Sequence, residues 1–108
     1  MYGFGTTLYQ TNRIRFTRPP ANIEQPTIIG DPIVGEKVGC NPGLWENNTS
    51  QFQYQWMIDG EHIIEQTGNT YTISITDLGK PLSCEVTASN VYGITIVESR
   101  SVTVILPR

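Results

Sequence analysis

Between Pro81 and Asn90 the chain alternates apolar and polar residues without a break. Leu82, Cys84, Val86 and Ala88 fall on one face, and Ser83, Glu85, Thr87 and Ser89 on the other. A period of two over eight residues is the pattern of a strand with one buried face. The same pattern recurs along the chain. "PTIIG" predicts a first edge strand from Pro26. "GEKVGCN" predicts a second with Val38 and Cys40 inward, and "QFQYQWMID" a third with Phe52, Tyr54 and Trp56 on one face. Asp59-Gly60 is a hairpin signal leading into "EHIIEQ". "TYTISI" places Tyr71, Ile73 and Ile75 inward, and "ITIVESRSVTVIL" closes the chain with Val102, Val104 and Leu106 on one face. Its polar middle, "ESRS", marks a bulge or a crossing between sheets. No stretch sustains a helical period. The expectation is an all-β domain of about seven antiparallel strands, with turns every eight to twelve residues.

The order Cys40, Trp56, Cys84 sharpens this to an immunoglobulin-like sandwich, whose core sets two small sulfur residues across the sheets beside a packed indole. Cys40 and Cys84 are either a bridge or a pair of buried thiols. A bridge closing that loop is worth ~4 kcal/mol in an oxidising setting. In a reducing one the thiols act as small hydrophobes.

Residues 1–24 stand apart from residues 25–108. "MYGFG" is glycine-rich and aromatic, "TTLYQTNRIRF" alternates Ile14 and Phe16 with Arg13 and Arg15, and Pro19-Pro20 cannot donate to a ladder. This reads as an extended arm, too small to bury a core by itself and ordered only by something else. The 108 residues carry a net charge of −3, unevenly spread. Arg13, Arg15 and Arg18 face no acid within residues 1–23, whereas the remainder holds four basic residues against ten acidic ones. A basic, aromatic arm on an acidic body suits an interface, so Tyr2, Phe4, Tyr9, Arg13, Arg15, Phe16 and Arg18 are the expected partner-binding residues. Three arginines beside an acidic body are poor phosphate ligands, which argues against nucleic acid.

Other constellations are weaker. His62 is the only histidine, and although Glu61 and Glu65 lie near, a solvated edge strand accounts for it better than a metal site. No Ser/His/Asp or Cys/His set assembles on plausible spacing, so neither an enzyme nor a cofactor is expected. Asn47-Asn48-Thr49-Ser50 holds two formal glycosylation sequons but reads as a polar loop. Trp45 beside it either caps an open end of the core or anchors a loop site for sugar or protein. No apolar run is long enough to span a membrane. No basic and then apolar leader is visible, so a cytoplasmic origin is expected.

"VGCNPGLW", "YQWMIDGEHIIEQTGNTYTI" and "DLGKPLSCEVTASNVYG" together resemble the bacterial and phage immunoglobulin-like domains, from about Pro26 to Val104. Leu82, where antibody-type domains carry a corner tyrosine, departs from the vertebrate pattern. The resemblance implies a non-enzymatic virion structural or accessory protein, decorating a capsid or tail. It would bind other virion proteins, sister copies or a host-surface glycan or protein, and be assembled in the host cytoplasm. The alternative it implies is a carbohydrate- or protein-binding module of a bacterial cell surface. The arm has no counterpart in the resemblance.

Overall fold

The structure is a computed structural model in which residues 18–108 are described. Those residues are all-β with antiparallel sheets, and hold ten strands: β1 (Ala21–Glu24), β2 (Thr27–Ile29), β3 (Lys37–Asn41), β4 (Leu44–Glu46), β5 (Gln51–Ile58), β6 (Glu61–His62), β7 (Thr70–Thr72), β8 (Pro81–Asn90), β9 (Gly93–Glu98) and β10 (Val102–Thr103). One sheet runs β10-β8-β5-β6, with β9 also paired to β8. A second runs β2-β3-β7, and β1 pairs with β4. A parallel bridge between Ile33 and Ile105 ties the early chain to its C-terminal end.

The alternation of β8 becomes the centre of the large sheet. Its pairing with β5 runs from Gln51 opposite Ser89 to Ile58 opposite Leu82, so Trp56 faces Cys84, Tyr54 faces Val86 and Phe52 faces Ala88. A slip of one residue would turn this whole apolar set to solvent, so burial itself enforces the register. From the other sheet come Val38 and Cys40 of β3 and Tyr71 of β7. With Ile73, Val104, Trp56, Leu82, Cys84 and Val86 they form one core. Trp56, Leu82, Cys84 and Val86 are completely buried. Each large side chain so enclosed contributes about 1.5–3 kcal/mol. Trp56 stacks on Tyr71 across the sheets, with ring centroids 5.6 Å apart and planes 25° from parallel, and its indole N–H donates to the Gly68 carbonyl at 2.9 Å.

Several elements differ from the sequence expectation. The strand expected through "TYTISI" stops at Thr72. Ser74 and Asp77 form a capping box around a 3-10 turn, Ile75–Asp77, which leaves Ile75 exposed rather than inward. The strand expected through "EHIIEQ" is reduced to two residues, because Glu65 takes a left-handed φ of 66° and the chain leaves the sheet. Leu106 lies beyond β10 and is exposed. Two strands were not foreseen. β1 falls at the end of the expected arm, and β4 falls in the loop that carries Trp45. Their pairing depends on Gly43, where a Cβ would sit 2.0 Å from the Glu24 carbonyl oxygen at a φ of +89°.

The polar break in the last strand is a substitution of partners. Ser99 donates its N–H to the Cys84 carbonyl at 2.8 Å, and its Oγ accepts the Cys84 N–H at 2.9 Å, so a side chain completes the ladder where the backbone bends away. Ser99→Ala strands that buried amide, and chemical denaturation should show a loss of about 1–3 kcal/mol. At the opposite turn, buried Asp77 accepts bonds from the Tyr71 hydroxyl and the Ser74 N–H. Burial, then the Asp77 carboxylate, hold the Tyr71 phenol above its ordinary value of 10. The unfolded chain therefore releases this proton before the folded one does. Stability from this group is complete below about pH 10 and falls as the pH rises beyond it. A pH series of melts should show that alkaline loss in the native protein and a shallower one in Tyr71→Phe.

Candidate functional site

The leading segment enters the body through a collar of side-chain bonds. Asn90 donates to the Arg18 carbonyl at 2.8 Å, Asn47 to the Pro19 carbonyl at 2.9 Å, and Thr95 to the Pro20 carbonyl at 2.6 Å. Pro19 and Pro20 have no N–H, so their carbonyls are their only backbone polar groups, and both are satisfied. Asn90 also donates to the Asn47 carbonyl at 2.7 Å and accepts the Tyr92 N–H at 2.8 Å, which locks the β8–β9 hairpin to the loop feeding β5. Asn47 and Asn48 adopt left-handed φ values of 73° and 57°, a conformation Asn tolerates better than most residues. At Gly93, with a φ of +148°, a Cβ would meet the Pro19 ring at 3.3 Å. The same pole carries an apolar tip: Val91 is 88% exposed and Tyr92 49%, with Ile94 and Ile96 exposed along the outer face of β9.

A second feature lies on the large sheet. Because β6 is so short, β5 has a sheet neighbour on that side, among the described residues, only at Met57 and Ile58. Trp56 then bonds the loop, donating to Gln66 and accepting from Ile63. Above it, a groove of about 540 Å³ opens beside Phe52, Tyr54 and Thr67, and extends over Gln53, Glu85 and Thr87. The Gln55 side chain closes its lower end by donating to the carbonyls of Ile63 and Trp56 at 2.8 and 2.9 Å. His62 lies 3.3 Å from Glu85 on this face, a half-exposed pair of small energetic weight.

Among the sequence-predicted site residues, Tyr2, Phe4, Tyr9, Arg13, Arg15 and Phe16 lie outside the described residues. Arg18 is part of the collar through its carbonyl rather than its guanidinium. Cys40, Cys84 and Trp56 meet in the core, with both cysteines as free thiols. The neighbouring Cys40 thiol, and then burial, push the Cys84 thiol above the usual thiol range, which suits an inert core residue. Trp45 is half-buried, its indole N–H donating to the Pro42 carbonyl at 2.7 Å and its ring tilted onto Phe52 at 6.0 Å. Among the described residues no three His, Cys, Asp or Glu side chains converge as metal ligands. Sequence reasoning missed Asn47, Asn90 and Thr95. The available signal was the run Asn90-Val91-Tyr92-Gly93, which the sequence marks as a hairpin bend.

The chain matches no protein-family model, and comparison with curated proteins and with solved structures finds no match. The functional reading therefore rests on the geometry above and on the sequence motifs.

Asn90→Asp keeps the acceptor for the Tyr92 N–H but replaces both donated bonds with carboxylate–carbonyl repulsion. It should cost roughly 1–2 kcal/mol in urea unfolding. A loss no larger than that of an exposed Asn→Asp control elsewhere would mean the collar contributes little.

Proposed function

We propose that this chain is a non-enzymatic virion accessory protein of a phage, an immunoglobulin-like sandwich displayed on a capsid or tail and held there through its N-terminal residues. The observation that carries the reading is the collar. Three side chains from separate elements converge to pin the carbonyls of residues 18–20 at one pole, where the segment before them joins the body. That segment is rich in aromatic and arginine side chains, the types favoured at interface cores. The apolar tip at Val91 and Tyr92 lies at the same pole, where an attached lattice would cover it. The immunoglobulin-like assignment is supported by Cys40 and Cys84 on opposite sheets beside a buried tryptophan, together with the motif resemblance.

The binding-module alternative takes its site from the loops bearing Trp45 and Asn69; it is less favoured because the Trp45 indole N–H is committed to the Pro42 carbonyl and the ring lies tilted on Phe52.

A protein lacking residues 1–17 should fold, with a melting temperature within a few degrees of the full chain, because the core cluster of the described residues is left intact. In cells producing the particles it should be missing from purified virions that incorporate the full chain. Incorporation of the truncated form at the full-length level would overturn attachment through these residues. Retention of attachment with loss on Trp45→Ala would favour the surface-module reading.

A further inference from the structure

β6 shows in two residues what the remainder of this edge of β5 lacks among the described residues. It pairs antiparallel with β5, His62 opposite Met57 and Glu61 opposite Ile58, and on the same side Trp56 bonds Gln66 and Ile63. On the other side Asp59 donates to the Pro81 carbonyl of β8. Alternate residues of an antiparallel strand direct their backbone groups to alternate sides. Phe52 and Tyr54 share the parity of Trp56, so their N–H and C=O groups point away from β8. No backbone group meets them among the described residues. The groove of about 540 Å³ opens along this edge. Donors and acceptors at strand spacing are complementary to another extended backbone, and neither an acyl chain nor a compact polar molecule offers the same row.

The lining of the groove sets the side chains that such a backbone carries. Phe52 and Tyr54 are half-buried and packed against the core. Directly opposed residues of an antiparallel pair share a face, so the residues opposite these two are apolar. Gln53, Thr87 and Glu85 line the other side, so the residues between are polar. Glu85 decides their charge. His62, on β6 at this same edge, reaches across β5 to within 3.3 Å of the Glu85 carboxylate. A lysine or arginine is longer than a histidine, so from a strand in line with β6 it reaches the same group. The body around the groove holds four basic residues against ten acidic ones over residues 24–108, which repels an acidic segment. We propose that β5 accepts, antiparallel at Phe52 and Tyr54, an extended segment of another protein in which apolar residues alternate with polar ones that include lysine or arginine.

This goes beyond the attachment reading, and its test is separate: it uses the isolated full chain and no particle. The probe is the capped peptide Lys-Val-Thr-Ile-Lys-Val-Thr-Lys, titrated to millimolar concentration and followed by residue-resolved NMR. The Phe52 and Tyr54 amides should shift saturably and exchange at least about tenfold more slowly with peptide bound, while Trp56 stays unchanged. In antiparallel addition the apolar residues of the peptide turn their N–H groups to β5. N-methylation of its two valines and its isoleucine should therefore abolish the response, and N-methylation of its two threonines and central lysine should leave it. Glu85→Gln, at a position outside the core, should weaken binding about two- to fivefold. The absence of a saturable shift at Phe52 and Tyr54, or an equal response to both methylated peptides, would overturn the proposal. Unchanged binding by Glu85→Gln would overturn its basic preference. Protection of Phe52 and Tyr54 without peptide would show the edge already covered and overturn it too, in favour of a second copy if that protection falls on dilution.

Discussion

Burial of Trp56 is the constraint on which the rest depends. Its indole is completely enclosed, stacks on Tyr71 of the facing sheet and lies opposite Cys84 on its own sheet. An enclosed indole is tolerated only if its N–H finds an acceptor, and Gly68 provides one from the crossing between β6 and β7. One side chain thus joins both sheets and the loop between them. Removing it would open a large cavity, the kind of loss that costs about 3–5 kcal/mol. The two thiols fit beside it because sulfur is small and apolar. Both are enclosed in the core and act there as packing, and the Cys84 thiol, raised above its usual range, keeps its proton.

Around this centre, polar side chains repeatedly take over where the backbone ladder fails. Ser99 completes the β8 ladder at the break between β9 and β10, and Gln55 bonds carbonyls of β5 and the loop beside it. Asp77 ties the 3-10 turn to Tyr71, and Asn90 with Asn47 and Thr95 satisfies the entering chain. Each works for the same reason: a backbone group removed from water needs a partner, and a short polar side chain at the right turn supplies one.

The strands with the longest alternation, β5 and β8, were legible residue by residue, as was the Asp59-Gly60 hairpin with both residues at positive φ. The meeting of Cys40, Cys84 and Trp56 followed from the inward positions of three strands. The errors fell at strand ends. Ile75 and Leu106 continue an apolar alternation, yet a capping box and the end of β10 expose them. Alternation reports which face a residue would take in a strand, not where the strand stops.

The sequence by itself determined an all-β chain with one buried face per strand and a cluster of basic and aromatic residues at its start. Those properties are local, set by period, turn chemistry and charge. Only the tertiary structure decided that Asn47, Asn90 and Thr95 close on residues 18–20, and that Gly43 admits Glu24. Each joins positions far apart in the chain. Which polar side chain meets which distant carbonyl depends on how the sheets pack, and no spacing within a single strand encodes that.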